Sequence, residues 1–278
     1  METTSYNTIV EEIDEGFDLT EISKGLKAVL TVKATADLGA SGKITLNMTN
    51  EELLKGNPTD NQLNINDIEM YTKNSISMKM VSGENEIKQS LSTKQYMKNG
   101  KAYMDLTGAE DFLALYDQEM PTKYYIDYAS TAEADGSQTI AIPDYKVSDL
   151  LAMIPEGNWG EYVQISKSTS DNGFKFKIIA SAETLNTIVN AYENELFDVT
   201  FTDDAEFYLI YNNGQFNGAY LDVNAKIDVY AAEGSEAYMY FGEHLTVNVS
   251  VNAQVVGYNG QINFPDFDEN YVDYSVML

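Results

Sequence analysis

Apolar residues recur at helical spacing in two segments of the chain, residues 5–17 and 184–196. In each segment they stand at i, i+3, i+4, i+7 and i+11, which places them in one stripe along a helix. The stripes consist of Tyr6, Ile9, Val10, Ile13 and Phe17, and of Leu185, Ile188, Val189, Tyr192 and Leu196. The pattern predicts two amphipathic helices, and a shorter stripe predicts a third helix over 144–154.

Elsewhere the apolar period changes to two, which predicts strands with one apolar and one polar face. The clearest alternations lie at 28–38, 219–229 and 245–255. Eleven residues reach about 37 Å at roughly 3.4 Å per residue, which exceeds the usual strand length. Counting all stretches of this kind, we predict about ten strands.

Asn-Gly pairs indicate how these strands are connected. A two-residue hairpin turn needs positive φ at both central residues, which Asn tolerates and Gly adopts freely. The pairs are Asn99-Gly100, Asn172-Gly173, Asn213-Gly214, Asn217-Gly218 and Asn259-Gly260. Four of the five lie between stretches that alternate apolar and polar residues. We therefore expect antiparallel strands that fold back on themselves.

A long sheet with one apolar face must cover that face, and this chain offers few helices to do so. We predict an α+β fold that is mainly antiparallel β: a long curled sheet, a half-barrel of about ten strands, covered on its concave face by two or three amphipathic helices. A sandwich of two sheets stays open as an alternative. The chain is expected to form one domain, 1–278, and the repeated helix pattern leaves open an internal duplication with halves 1–140 and 141–278.

Charge narrows the range of partners. The chain has 44 acidic and 17 basic residues, for a net charge of −27. Such a surface repels phosphate groups and anionic lipid head groups, so we expect neither nucleic acid binding nor direct electrostatic docking on a membrane. The composition is rich in Tyr, Asn, Thr and Ser and poor in basic residues, which favours an extracytoplasmic location, at the cell surface or in the periplasm.

Candidate catalytic chemistry is sparse. The chain has no cysteine, which excludes thiol nucleophiles, Cys-based zinc sites and disulfides. The single histidine, His244, falls on the polar face of a strand, and its neighbour Glu243 points to the opposite face. Residues 266–270 begin like a calcium loop, but Tyr271 stands where that loop needs Gly. We expect no enzyme activity, no cofactor and no metal site.

Aromatic and methionine side chains crowd the middle of the chain. Met adapts to irregular apolar shapes and recurs at promiscuous binding surfaces, and concave apolar space is the usual form of a ligand site. The candidate lining residues are Met97, Met104, Phe112, Tyr116, Tyr124, Ile126, Met153 and Trp159. They favour a lipid or another apolar small molecule as the ligand.

Two alternative functions stay open. In the first, the core is completely filled and the acidic outer surface serves a structural or protein-interaction module. In the second, the chain is a carbohydrate-active protein that uses two facing carboxylates, with aromatic side chains such as Trp159 to stack on sugars.

The chain resembles the LolA/LppX-type group of exported bacterial lipid carriers and lipoproteins. The resemblance covers the order of elements: a helix at 5–17, long one-faced strands from Leu26, and then helical cover. The hairpin Tyr96–Asp105 and the ending Ile262–Asp266 are similar to segments of related Gram-positive surface lipoproteins. The resemblance implies a half-barrel closed by helices, a non-catalytic lipid-binding role, and an export segment and lipid-anchoring cysteine that have been removed from this chain.

Overall fold

The computed structural model describes most of the chain. The described residues are 6–18, 22–110, 121–130, 139–142, 146, 163–170, 173–190, 197–231, 234, 242–267 and 271–274. Within these ranges lie fifteen strands, two α-helices and two short 3-10 turns that are described along their whole length, and residues 128–130 are helical as well. Thirteen of the strands belong to one sheet and two form a small separate ladder. The large sheet therefore has more strands than the ten or so that the alternation predicts.

The described elements follow the chain as one helix, ten strands, a second helix and five further strands. The strands are β1 (Leu26–Asp37), β2 (Lys43–Lys55), β3 (Gln62–Asn64), β4 (Glu69–Ser82), β5 (Asn85–Lys98), β6 (Lys101–Gly108), β7 (Lys123–Asp127), β8 (Thr139–Ala141), β9 (Val163–Ser170), β10 (Gly173–Ala180), β11 (Phe197–Phe201), β12 (Ala205–Asn212), β13 (Gln215–Tyr230), β14 (His244–Gly257) and β15 (Val272–Asp273). The helices are α1 (Tyr6–Gly16) and α2 (Ala182–Asn190), and the 3-10 turns are Gly39–Ser41 and Ile65–Asp67.

The large sheet is curved and does not close. Its spatial order is β15-β7-β6-β5-β4-β2-β1-β14-β13-β12-β10-β9, and β11 pairs with β13 beyond the end of β12. All its neighbours are antiparallel except β15 and β7, which run parallel. The prediction of a mainly antiparallel fold is confirmed. Strands β3 and β8 form the separate ladder.

Two of the five Asn-Gly pairs form the predicted hairpin turns. Asn99 and Gly100 join β5 to β6, and Asn213 and Gly214 join β12 to β13; all four residues have positive φ. The prediction is wrong for Asn217-Gly218, which lies inside β13 near a register shift. It is wrong also for Asn259-Gly260, which follows β14 without a return strand, whereas Asn172 lies outside the described residues.

Helix α1 packs on the apolar face of the sheet over β10 and β12. Its Ile13 is fully buried together with Phe176 and Tyr211, and Leu209 and Phe17 join the same cluster. The Tyr211 hydroxyl donates a buried hydrogen bond to the backbone carbonyl of Ile13, 2.9 Å away. This bond satisfies a carbonyl near the end of α1, where intrahelical partners run out.

Helix α2 is held against the edge of β11. Asn186 donates to the backbone carbonyl of Phe201 at 3.1 Å and accepts from its backbone N–H at 2.7 Å. Ser181 caps the start of the helix by accepting from the backbone N–H of Thr184. The predicted continuation of this helix to residue 196, and the predicted third helix apart from Lys146, lie outside the described residues.

Candidate ligand-binding face

Strand register assembles one continuous apolar face. Val32 of β1 stands opposite Met48 of β2 and Val251 of β14, and the next pairs towards the β1–β2 turn are equally apolar. Directly opposed residues of antiparallel strands project to the same face. We call this side the apolar face and the opposite side the polar face.

The apolar face continues across the first half of the sheet as far as β5. It forms what we call the hairpin-end patch, next to the β1–β2 and β4–β5 turns. The patch consists of Val32, Ala34 and Ala36 of β1, Ile44, Leu46 and Met48 of β2, Ile76, Met78 and Met80 of β4, and Ile87 and Leu91 of β5. Gln89, opposite Met78, interrupts it at its outer margin.

Several large apolar side chains on this face remain open to solvent. Leu30 is 41% exposed, Met48 40% and Ile87 55%. Under α1, by contrast, Phe176 and Tyr211 are fully buried on the same face. Contiguous exposed apolar surface of this kind is uncommon on soluble proteins and marks interaction or ligand sites. The exposure makes the hairpin-end patch a candidate binding surface.

A band of polar residues crosses the apolar face beside the hairpin-end patch. We call it the polar belt; it consists of Asn50 and Glu52 of β2, Thr72 and Asn74 of β4, and Thr93 and Gln95 of β5. Within it, the Asn50 side-chain amide donates to the Asn74 side-chain oxygen at 2.6 Å. Sequence reasoning did not single out these residues, because the belt appears only when the three strands are placed in register.

The predicted lining residues lie beyond the polar belt. Met97 and Ile126 flank Ala102 across β5, β6 and β7, and Met104 stands opposite Tyr124, all on the apolar face. Burial raises the pKa of the Tyr124 hydroxyl. The structure thus brings four of the eight residues together. The other four, Phe112, Tyr116, Met153 and Trp159, lie outside the described residues.

The polar face of β5, β6 and β7 carries an aromatic cluster closed by the end of the chain. The Tyr103 ring stacks on Phe267 with centroids 3.7 Å apart, and Tyr96 contacts Phe267 edge to face at 5.7 Å. Tyr271 also meets Tyr103 edge to face. Burial raises the pKa of Tyr271 to about 12. These rings fill the space under the described residues 264–267 and 271–274, so this cluster serves packing.

A small pocket lies where α1 ends against the sheet. Its volume is about 250 Å³, below the usual range of small-molecule sites. It is lined by Glu15, Gly16, Asp18, Ile22, Gly25, Leu26, Gln215, Phe216 and Gly257. Its size and its mixed lining make it a weaker candidate than the open apolar face.

His244 has a carboxylate partner that sequence reasoning missed. Its Nε2 lies 2.9 Å from Asp228 Oδ1 across the β13–β14 pair, and its ring stacks on Tyr230. Asp228 also accepts from Lys226 at 2.7 Å and from Thr246 at 2.6 Å. These bonds hold the pKa of Asp228 down at about 2. Because Asp228 is already shared among three donors, the arrangement is that of a polar-face network.

Comparisons with known proteins find distant structural neighbours. No family model matches the chain, and no curated protein sequence matches it. LprF from Mycobacterium bovis shares 8% identity at a TM-score of 0.34, with 94% of this chain and 97% of that chain covered. The LolA superfamily protein NE2245 from Nitrosomonas europaea shares 10% identity at a TM-score of 0.18, with 95% and 96% covered.

The structural neighbours therefore include the LolA group that the sequence resembles. Because both TM-scores lie below 0.5, these likenesses carry no argument about function. Among the described residues, no helix combines the length and the apolar character that a membrane crossing requires.

Proposed function

We propose that this protein is a non-catalytic, extracytoplasmic binding protein for a lipid or another apolar molecule, which lies on the apolar face of the curved sheet. The observation that carries the proposal is the exposure of Leu30, Met48 and Ile87 on the apolar face, where Met48 and Ile87 belong to the hairpin-end patch that spans four adjacent strands. The extracytoplasmic location rests on the composition of the chain.

The size of the hairpin-end patch suits a ligand of this kind. Three rows of residues along the strands and four strands across span about 14 Å in each direction, which is roughly 200 Å². Covering that area contributes about 5 kcal/mol at about 25 cal/mol per Å², before the entropy of association is subtracted.

Lipid binding is tested by delipidating the protein, adding back a lipid extract and recording native mass spectra. Met48→Lys places a charge on the hairpin-end patch, and Thr49→Lys places the same charge on the polar face one residue away. We expect bound lipid in the wild type and in Thr49→Lys, and at least a tenfold weaker affinity in Met48→Lys. Absence of any bound species in the wild type, or equal loss in both variants, would overturn the proposal.

A further inference from the structure

We propose that the polar belt binds the head group of an amphiphilic ligand, and that this head group donates hydrogen bonds and carries no negative charge. The inference rests on the proposed function, because the apolar part of the same ligand would lie on the apolar face. It adds the chemical class of the ligand, which the apolar residues alone leave undefined.

The belt is a continuous structure rather than scattered polar residues. Asn50 stands directly opposite Asn74, which in turn stands opposite Thr93. One row further along the strands, Glu52 stands opposite Thr72, and Thr72 opposite Gln95. Apolar rows flank the belt on both sides, with Met48 and Ile76 on one and Leu54 and Met70 on the other.

Thr72 of the belt is already buried. The other five polar side chains, of which Asn50 and Asn74 bond each other, would be costly to cover with an apolar group. Burying a polar group without a hydrogen-bond partner costs roughly 1–3 kcal/mol. A purely apolar ligand lying across β2, β4 and β5 would impose that cost several times, whereas a polar head group would remove it. The belt therefore selects for a ligand with a polar part at this position.

The charge of the belt decides which polar part fits. Glu52 is its only ionisable residue, and its carboxylate makes no hydrogen bond or ion pair to another described residue. Its neighbour Glu51, on the polar face, is paired with Lys27 at 2.8 Å. A carboxylate accepts hydrogen bonds and repels anions. Hydroxyl or ammonium head groups thus complement the belt, and carboxylate or phosphate head groups do not.

The geometry also places the chain of such a ligand. From the Asn50 row, the hairpin-end patch runs for three rows to Ala36 and Ile44, which is about 20 Å along the strands. A ligand with its head at the belt can lay an extended acyl chain along this direction without crossing another polar row. The exposed side chains of Met48 and Ile87 lie on that path.

The test compares three ligands that share a twelve-carbon chain: glycerol monododecanoate, dodecylamine and dodecanoate. Dissociation constants are measured by calorimetry at fixed ionic strength and at monomeric ligand concentrations. We expect the glycerol ester and the amine to bind at least tenfold more tightly than dodecanoate. The two favourable ligands also separate hydroxyl from ammonium recognition.

A matched pair of variants separates the belt from the overall negative charge. Glu52→Gln removes the belt carboxylate, and Glu51→Gln removes the same charge from the adjacent residue on the polar face. We expect Glu52→Gln to reduce the preference for the amine over dodecanoate at least fivefold, and Glu51→Gln to leave it within twofold. Unfolding midpoints of both variants verify that the fold is retained.

The outcomes distinguish this inference from the proposed function. Equal binding of all three ligands by the wild type, or equal effects of the two variants, would overturn head-group recognition and leave apolar binding standing. If none of the three ligands and no lipid from an extract binds, the proposed function itself fails. Equal binding of the three ligands by the wild type overturns head-group recognition without any variant, so the inference can be refuted even if a substitution unfolds the protein.

Discussion

At the scale of single residues, the ionisation of Asp228 on the polar face makes the stability of the protein depend on pH. It is buried to 9% exposure and receives hydrogen bonds from Lys226, Thr246 and His244. These donors favour the ionised carboxylate, which lowers its pKa from 3.8 to about 2. In the unfolded chain the pKa returns to its ordinary value, so the unfolded state binds more protons between about pH 4 and pH 2.

We therefore predict that Asp228 contributes stability above about pH 4 and that this contribution is lost as the pH falls towards 2. Asp228→Asn should be less stable than the wild type at pH 7, and its free energy of unfolding should fall less between pH 5 and pH 2.5. Urea unfolding across this range measures both effects. Glu86, whose pKa is also lowered to about 2, is present in both proteins and cancels in the comparison.

Asp222→Asn serves as the control, because Asp222 is exposed on the same strand and face. It should leave the pH dependence of unfolding close to that of the wild type. Parallel pH curves for the wild type and Asp228→Asn would contradict the prediction.

The contact between Asp228 and His244 could be predicted from the sequence only in part. Placing His244 on the polar face required only the alternation of β14, and that placement is correct. Its carboxylate partner could not be found, because Glu243 is the neighbour in sequence and Asp228 is the neighbour in space. Cross-strand register between β13 and β14 decides the pairing, and alternation alone does not fix register.

At the scale of elements, the end of the chain acts as a cover for the polar face of β5, β6 and β7. Phe267 is its central contact, since its ring meets Tyr103, Tyr96 and Tyr271. Strand β15 then adds in parallel to β7, with Asp273 accepting from the Tyr125 hydroxyl at 3.0 Å. The cover is therefore held by aromatic packing and by a short sheet extension.

We predict that Phe267→Ala lowers the free energy of unfolding by about 2–4 kcal/mol, because it removes a stacked ring and leaves a cavity among the tyrosines. Val272→Ala, at a 53% exposed position of the same segment, should change it by less than about 0.5 kcal/mol. Chemical denaturation followed by tyrosine fluorescence measures both. Equal destabilisation by the two substitutions would show that the ring contacts contribute little.

Some helices and turns can be predicted from their sequences more completely than others. The stripe of Ile13 and Phe17 predicts α1 and the residues that it buries, and the Asn99-Gly100 turn is correct in type and position. The same dipeptide at Asn217-Gly218 lies within a strand. There a Cβ on Gly218 would approach the backbone oxygen of Val255 to 2.9 Å, so this glycine permits close approach of β14. A local motif cannot distinguish these two uses of glycine.

At the scale of the whole molecule, the net charge of −27 acts against compactness. We predict that raising NaCl from about 10 mM to about 150 mM at pH 7 raises the urea midpoint, because the screening length shortens from about 30 Å to about 8 Å. Exposed ion pairs such as Lys79–Glu86 oppose this trend, but each is worth only about 0–1 kcal/mol.

The same salt series at about pH 4 supplies the control. The sequence pI is about 4.1, so the mean repulsion is nearly absent there and salt should have little effect. A urea midpoint that falls with salt at pH 7 would mean that attractive pairs outweigh repulsion over the molecule.

The candidate site was predictable only in part at this scale. Alternation predicts an apolar face, and in the structure Met97, Met104, Tyr124 and Ile126 lie on one face of β5, β6 and β7. The polar belt depends on three strands being aligned so that their polar exceptions, such as Asn50 and Asn74, fall in the same rows. In the sequence of a single strand, each of these polar residues only interrupts the alternation. The register of the three strands shows that the interruptions form one continuous polar band.

The neighbours at the middle of the sheet come from opposite ends of the chain, since Leu26–Ala36 of β1 pair with β14. During synthesis at roughly 5–20 residues per second, β1 therefore waits on the order of ten seconds or more for its second partner to leave the ribosome. During this time the nascent chain exposes an unpaired strand edge with an apolar face. Such an edge is prone to self-association. A chaperone that shields the growing chain until β14 emerges would protect the unpaired edge of β1 from self-association.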